Sequence, residues 1–169
     1  MPTPKQIERT AWQLLQEHDL AETPVDLEEL AECLGIDISC ESMEDEVSGM
    51  LLIEDGDTHV IVNGGHHSNR RRFSAAHEIG HFELHASDEN KLFVDRSFFR
   101  NQKSSIGVSR QEVEANAFAA ALLMPSPLIE KALPDDDSAD IDVYEMAREF
   151  GVSEHAMTIR LINLGHLAP

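Results

Sequence analysis

Apolar residues recur at helical spacing from Pro4 to His18, where Ile7, Ala11, Leu14 and Leu15 share one face beside Trp12. Thr23 or Asp26 then caps a second helix that runs through Leu34, and Gly35 ends it. The pattern changes at Ile36. From there to Cys40 apolar and polar residues alternate, as in a short strand. Val47 to Ile53 and His59 to Val62 read as two further strands, separated by Glu54-Asp55-Gly56-Asp57, a turn sequence with hairpin character. Asn63-Gly64-Gly65 is the loop that leaves them. Phe73, Ala76, Ile79, Gly80 and Leu84 restore helical spacing, Ser68 and Asn69 are candidate N-caps, and no proline falls between Asn69 and His85.

Beyond His85 the chain is polar, then extended or irregular from Lys91 to Phe99, with a loop at Ser104 to Gly107. Ser109 is placed to cap a long helix ending at Met124, where Pro125 and Pro127 stop it. A short helix from Leu128 to Leu133 follows, then a solvated connector, Pro134 to Asp142, carrying Asp135-Asp136-Asp137. Val143 to Phe150 and Glu154 to Leu164 form two closing helices joined at Gly151. The pattern predicts an α+β fold, mainly helical, with a small antiparallel β-sheet and the 69–85 helix packed on it. Residues 1–133 form the main domain. Residues 134–169 form a helix-turn-helix-like unit packed on it.

Composition narrows the setting. A chain of 169 residues builds a core without disulfide staples. Its two cysteines, Cys33 and Cys40, read as small buried apolar residues in a reduced, cytoplasmic protein. The start, Met1-Pro2-Thr3-Pro4-Lys5, has no apolar leader segment, and no run is long enough to span a bilayer. Thirteen basic against 32 acidic residues give a net charge of −19, a field that repels nucleic acid and anionic membranes.

The chemistry sits at His77-Glu78-Ile79-Gly80-His81, an H-E-x-x-H motif. On a helix, residues i and i+4 share a face, so both imidazoles reach one metal ion. Glu78 lies about 100° further round, placed to act as a base on a water held by that metal. Gly80 leaves room for another backbone or a substrate to approach. A catalytic zinc takes a third protein ligand, and the helix from Ser109 offers Glu112 and Glu114. Glu114 shares its stripe with Phe118, Ala121 and Leu122, the face expected to pack inward, where a carboxylate needs a partner. Glu112 shares its face with Asn116, Ala119 and Leu123, which is less uniformly apolar. The reading therefore favours Glu114 as third ligand.

Two blocks, Arg71 to His85 (Arg-Arg-Phe-x-x-Ala-His-Glu-x-Gly-His) and Glu112 to Pro125 (Glu-Ala-Asn-x-Phe-Ala-x-x-Leu-Leu-Met-Pro), resemble the ImmA/IrrE family of metallopeptidases. The resemblance is looser from Asp26 through Asn63 and at the C-terminal end. It implies zinc, or manganese or iron in its place, on His77, His81 and Glu114, with Glu78 as the catalytic glutamate. It further implies a cytoplasmic endopeptidase that cuts a helix-turn-helix repressor and so releases stress-response or mobile-element genes. Asn116 and Asp95 are candidates to orient the histidines. Arg71 and Arg72, within the Arg70-Arg71-Arg72 run, are candidates for substrate binding. His85, His66 and His67 read as non-ligands.

Two rivals stand beside the peptidase. The unit Ala147-x-x-x-Gly151 followed by Ser153-Glu154-His155-Ala156-Met157 resembles a helix-turn-helix, which suggests a DNA-binding regulator. Its second helix offers DNA only Arg160 with Thr158 and Asn163, in a chain whose charge opposes phosphate contacts. A protein-binding module with a structural metal is the other, but a closed structural site has no use for Glu78 as a base. An acidic surface with only four lysines suits a high-salt cytoplasm, where cations screen self-repulsion. The melting temperature is therefore expected to climb as KCl is raised from low to molar concentration; a flat or falling response would refute this.

Overall fold

A computed structural model describes residues 2–86, 90–96, 110–134 and 140–169. Helix α1 spans Pro4–Glu17 and begins with a reciprocal cap: the Thr3 hydroxyl accepts from the Gln6 amide at 3.3 Å, and the Gln6 side chain accepts from the Thr3 amide at 2.7 Å. It buries Ile7, Ala11, Leu14 and Leu15, the stripe the sequence shows. Helix α2, Leu27–Leu34, is capped by the Asp26 carboxylate, and Gly35 closes it at φ 69°, a left-handed conformation that glycine adopts freely.

Strands β1 (Ile36–Glu41), β2 (Val47–Glu54), β3 (Asp57–Asn63) and β4 (Lys91–Arg96) form one sheet in the order β1-β3-β2-β4. Asp55 and Gly56, at φ 53° and 93°, make the tight β2–β3 hairpin turn. β2 pairs antiparallel with β3, as expected, and also with β4, which the sequence leaves as extended or irregular, whereas β1 pairs parallel with β3. The sheet is therefore mixed and not purely antiparallel. Strand alternation reveals which side chains face inward but not which strand lies alongside, and here β3 inserts between β1 and β2.

Helix α3 runs Ser68–His85 and packs on this sheet. Its N-cap is His67, whose Nδ1 accepts from the Asn69 amide at 3.3 Å, so the cap falls one residue before Ser68 and Asn69. Helix α4, Arg110–Leu123, packs along α3 and α1. Helices α5 (Ser126–Ala132), α6 (Val143–Phe150) and α7 (Glu154–Leu164) follow. The expected Ser104–Gly107 loop, the Ser109 cap, and the parts of the extended segment and acidic connector at 97–99 and 135–139 lie outside the described residues.

One hydrophobic core joins these elements. Phe118, Leu122 and Leu123 of α4 belong to it together with Ile79 of α3, Leu51 and Val60 of the sheet, Leu15 of α1, and Phe150, Met157 and Leu161 of α6 and α7. Cys33 and Cys40 are not part of it; both thiols are exposed and free, against expectation. Cys33 sits on the outer side of a two-turn helix, and Cys40 near the end of edge strand β1.

Helices α3 and α4 approach each other closely at Gly80. A Cβ there would stand 3.1 Å from both the Ala115 carbonyl oxygen and Phe118 Cδ1. Gly80→Ala should therefore force α3 and α4 apart by a few tenths of an ångström and destabilise the fold by about 1–3 kcal/mol, despite the better helix propensity of alanine. Denaturant unfolding measures this, and an unchanged or raised midpoint would contradict it.

Candidate metal centre

Two ring nitrogens and a carboxylate meet where α3 and α4 cross. His77 and His81, one turn apart and buried, present Nε2 atoms 3.0 Å from each other. Glu112, in the first turn of α4, sets Oε2 3.2 Å from His77 Nε2 and Oε1 3.2 Å from His81 Nε2. A tetrahedral ion with bonds of about 2.0–2.1 Å separates its ligand atoms by roughly 3.3 Å, so this triangle has the size to hold one.

The chemistry of the donors agrees. His77 Nδ1 lies 3.0 Å from the Asn116 side-chain oxygen, which only accepts, so the proton of a neutral ring sits on Nδ1 and Nε2 is a bare lone pair. Two inward nitrogens facing a carboxylate fit together when a cation lies among them. Without a metal, protons must serve: burial works against a charged His77, but hydrogen bonding to Glu112 and the charges of Glu78, Asp95 and Glu112 outweigh it and raise its pKa. Hydrogen bonds to His77 and then His81 hold the Glu112 carboxyl well below the usual range.

Glu78 is fully buried beside them, and neither of its carboxylate oxygens has a hydrogen-bond partner among the described residues. Burial pushes its pKa up to about 8, with His77 opposing and Asp95 and Glu112 adding to the rise. The sheet makes room for it. Gly49 of β2 pairs across to Val62 and Asp95, next to a register shift at Val47/Gly49, and a Cβ on Gly49 would come 3.2 Å from Glu78 Oε1. Asp95 of β4 brings an oxygen within 4.8 Å of ligand atoms of His77 and Glu78. Burial raises its pKa too, against the pull of His77.

The sequence expectation divides here. His77, Glu78 and His81 come together, and Asn116 reaches His77. Glu114 does not join them. Its carboxylate accepts from His85 Nε2 at 3.0 Å and from Arg110 Nε at 2.8 Å, and the His85 and Arg110 contacts hold its pKa down. The carboxylate in the triangle is Glu112, from the less uniformly apolar face of the helix. Arg71 and Arg72 line a different hollow of about 520 Å3 beside Pro24, Val25 and Ala75. Arg72 donates to the Val25 carbonyl and its charge is disfavoured by burial, despite Asp26. A second hollow, of about 1200 Å3, opens between α1, α4 and α7; Asn116 borders it, but the triangle residues do not.

Residues 31–161 match the family described as the IrrE N-terminal-like domain, Peptidase_M78, and the chain belongs to that family. It is also similar to an uncharacterized immunity region protein 2 of Bacillus phage phi105, at 29% identity over 97 residues. That match spans 57% of this chain and 57% of the phage protein.

The buried carboxyl gives a pH prediction for the metal-free protein. A Glu78 pKa raised from 4.5 to about 8 on folding means the folded state holds a proton the unfolded state has released. Its contribution is complete below pH 4.5 and is lost as pH rises to about 8, with a slope approaching 1.4 kcal/mol per pH unit at most, about the value of one proton. Glu78→Gln should gain stability relative to wild type across that window. Unfolding midpoints at pH 5 and pH 8, taken with chelator present, decide it; a constant difference would refute it.

Proposed function

We propose that this chain is a metal-dependent endopeptidase whose ion is held by His77, His81 and Glu112. The observation that carries the reading is the convergence of two imidazole nitrogens and a carboxylate beside a buried glutamate with no hydrogen-bond partner. A zinc ion bound there would supply Lewis-acid polarisation of a peptide carbonyl, and manganese or iron could replace it. Membership of the Peptidase_M78 family supports the reaction class.

The residues divide the work. Asn116 fixes the His77 ring by accepting from Nδ1, leaving Nε2 turned inward. Glu78 takes a proton from the attacking water and hands it to the leaving amine; its burial suits this, because a carboxyl raised towards neutrality both accepts and returns a proton there. Glu112 is the partly exposed member of the triangle, with a third of its side chain open to solvent. A substrate therefore approaches from its side.

The substrate we propose is a helix-turn-helix repressor, whose cleavage releases stress-response or mobile-element genes in the cytoplasm. The ImmA/IrrE resemblance supports this, and similarity to a phage protein named for its immunity region points the same way. A DNA-binding role for α6 and α7 fares worse. Arg160, the one cation of the helix that would read DNA, is buried and spent on Glu8 and on the Met124 carbonyl, 2.9 Å away. No described helix is long and apolar enough to cross a membrane.

Elemental analysis tests the site first. Wild type is expected to carry about one zinc per chain, and His81→Ala and Glu112→Ala to lose it; folded wild type that stays metal-free when zinc is supplied overturns the proposal. Glu78→Gln should keep the metal while cleavage of a repressor substrate falls by about 10²–10⁴-fold, the usual worth of a general base.

A further inference from the structure

A chain of side chains runs outward from the metal triangle on the side away from Asn116. His81 Nδ1 lies 3.2 Å from His85 Nδ1, His85 Nε2 lies 3.0 Å from Glu114 Oε2, and Arg110 Nε donates to Glu114 Oε1 at 2.8 Å. His85 follows His81 by four residues on α3, and Glu114 follows Arg110 by four on α4, so each helix supplies two members in register. The two inner members are enclosed, with side-chain exposures of 6% for His85 and 11% for Glu114. Phe93 of β4 stacks on the His81 ring, centroids 4.7 Å apart and planes 22° from parallel, which fixes the ring's plane.

With both rings neutral, as metal binding through His81 requires, proton counting leaves one consistent arrangement. Glu114 is an acceptor already held by Arg110, so His85 Nε2 carries a proton and donates to it. In neutral His85 this makes Nδ1 a lone pair. The facing His81 Nδ1 must then be the donor, which leaves His81 Nε2 without a proton and aimed at His77 and Glu112. Glu114, in this arrangement, sets the tautomer of His81 through His85.

We propose that His85 and Glu114 are positioning residues for the metal centre, fixing His81 as the tautomer with its proton on Nδ1 and so presenting Nε2 to the ion. This rests on the metal-binding reading above and deepens it: both ligand histidines are oriented from α4, His77 directly by Asn116 and His81 indirectly by Glu114. It also gives Glu114 a role without making it a ligand. Histidines that bind metals usually donate their other ring proton to a carboxylate, carbonyl or water. Here a second imidazole extends that reach by one ring to a carboxylate on the neighbouring helix.

Zinc affinity, measured by competition with a chromogenic chelator, and ring tautomers, read from histidine nitrogen–proton correlation spectra of the zinc-loaded protein, test the proposal together. Wild type should show His81 protonated at Nδ1 and His85 at Nε2. His85→Phe should weaken zinc binding about 10–100-fold, the usual cost of removing such a partner, with one zinc still bound at saturation. His85→Asn, which restores an acceptor oxygen, should recover much of the loss. Unchanged affinity in a folded His85→Phe, or a wild-type His85 protonated at Nδ1, overturns the relay while leaving the metal site intact. Loss of zinc stoichiometry in Glu114→Ala with retention in Glu112→Ala would instead make Glu114 the ligand and overturn the assignment. Should His85→Phe not fold, the wild-type spectra decide. Wild type that binds no zinc fails the underlying reading, a result distinct from each of these.

Discussion

The close packing of α3 on α4 is the contact on which the rest depends. Gly80 lets the Ala115 carbonyl and the Phe118 ring lie against the backbone of α3, so side chains on either side of that contact are held at fixed heights. One turn of α3 separates His77 from His81, and one turn of α4 separates Glu112 from Asn116. The crossing therefore delivers a carboxylate to two imidazoles and an amide to one of them in a single event. A larger residue at 80 would act on the fold and on every distance in the triangle together, because the same approach sets both.

The electrostatics of the site follow from burying it in an acidic protein. Glu78, Asp95, Glu112 and Glu114 gather around three histidines, while the described cations nearby are Arg110, bound to Glu114, Arg70, bonded to Ser48 and acting on Asp95, and Lys91, which donates to the His85 carbonyl. His77, Glu78 and His81 are buried, and isolated charges are costly there. Protons meet part of the demand in the metal-free state, which is why the Glu78 and Asp95 carboxyls titrate high and His77 stays charged more readily. A divalent cation meets the same demand with one bound ion. The arrangement that costs stability without a metal is thus the one that favours taking one up.

Much of this was legible in the residues. Helical spacing, caps and prolines located all seven helices seen among the described residues, with bounds within a few positions, because each start and stop has a local cause: the Asp26 carboxylate, Gly35, Pro125 and Gly151. Strand order was not legible, since β1 beside β3 depends on contacts across twenty residues of chain. The sequence favours Glu114, whereas the structure brings Glu112 to the two imidazoles, and the reason is instructive. Apolar neighbours mark a face that packs inward, yet a face that meets a cluster of imidazoles is itself polar. Asn116, already singled out to orient a histidine, lies four residues from Glu112 on that same face, and this spacing was the available signal. Cys33 and Cys40 misled in the opposite sense, because their apolar character says nothing of whether a short helix or an edge strand covers them.

The C-terminal helices show why a local motif is weak evidence of its usual use. The sequence Ala147 to Met157 has the turn and spacing of a helix-turn-helix, and the structure does build two short helices around Gly151 at φ 65°. Their inward residues, however, belong to the same core as α1 and α4. Arg160 then bridges Glu8 at one end of the chain to the carbonyl of Met124 at the end of α4. An arginine so placed ties α7 to the helix that carries Glu112 and Asn116, and a buried guanidinium with three hydrogen bonds to two partners is not free to meet phosphate. The unit's connections thus run inward, to the frame that holds the metal site.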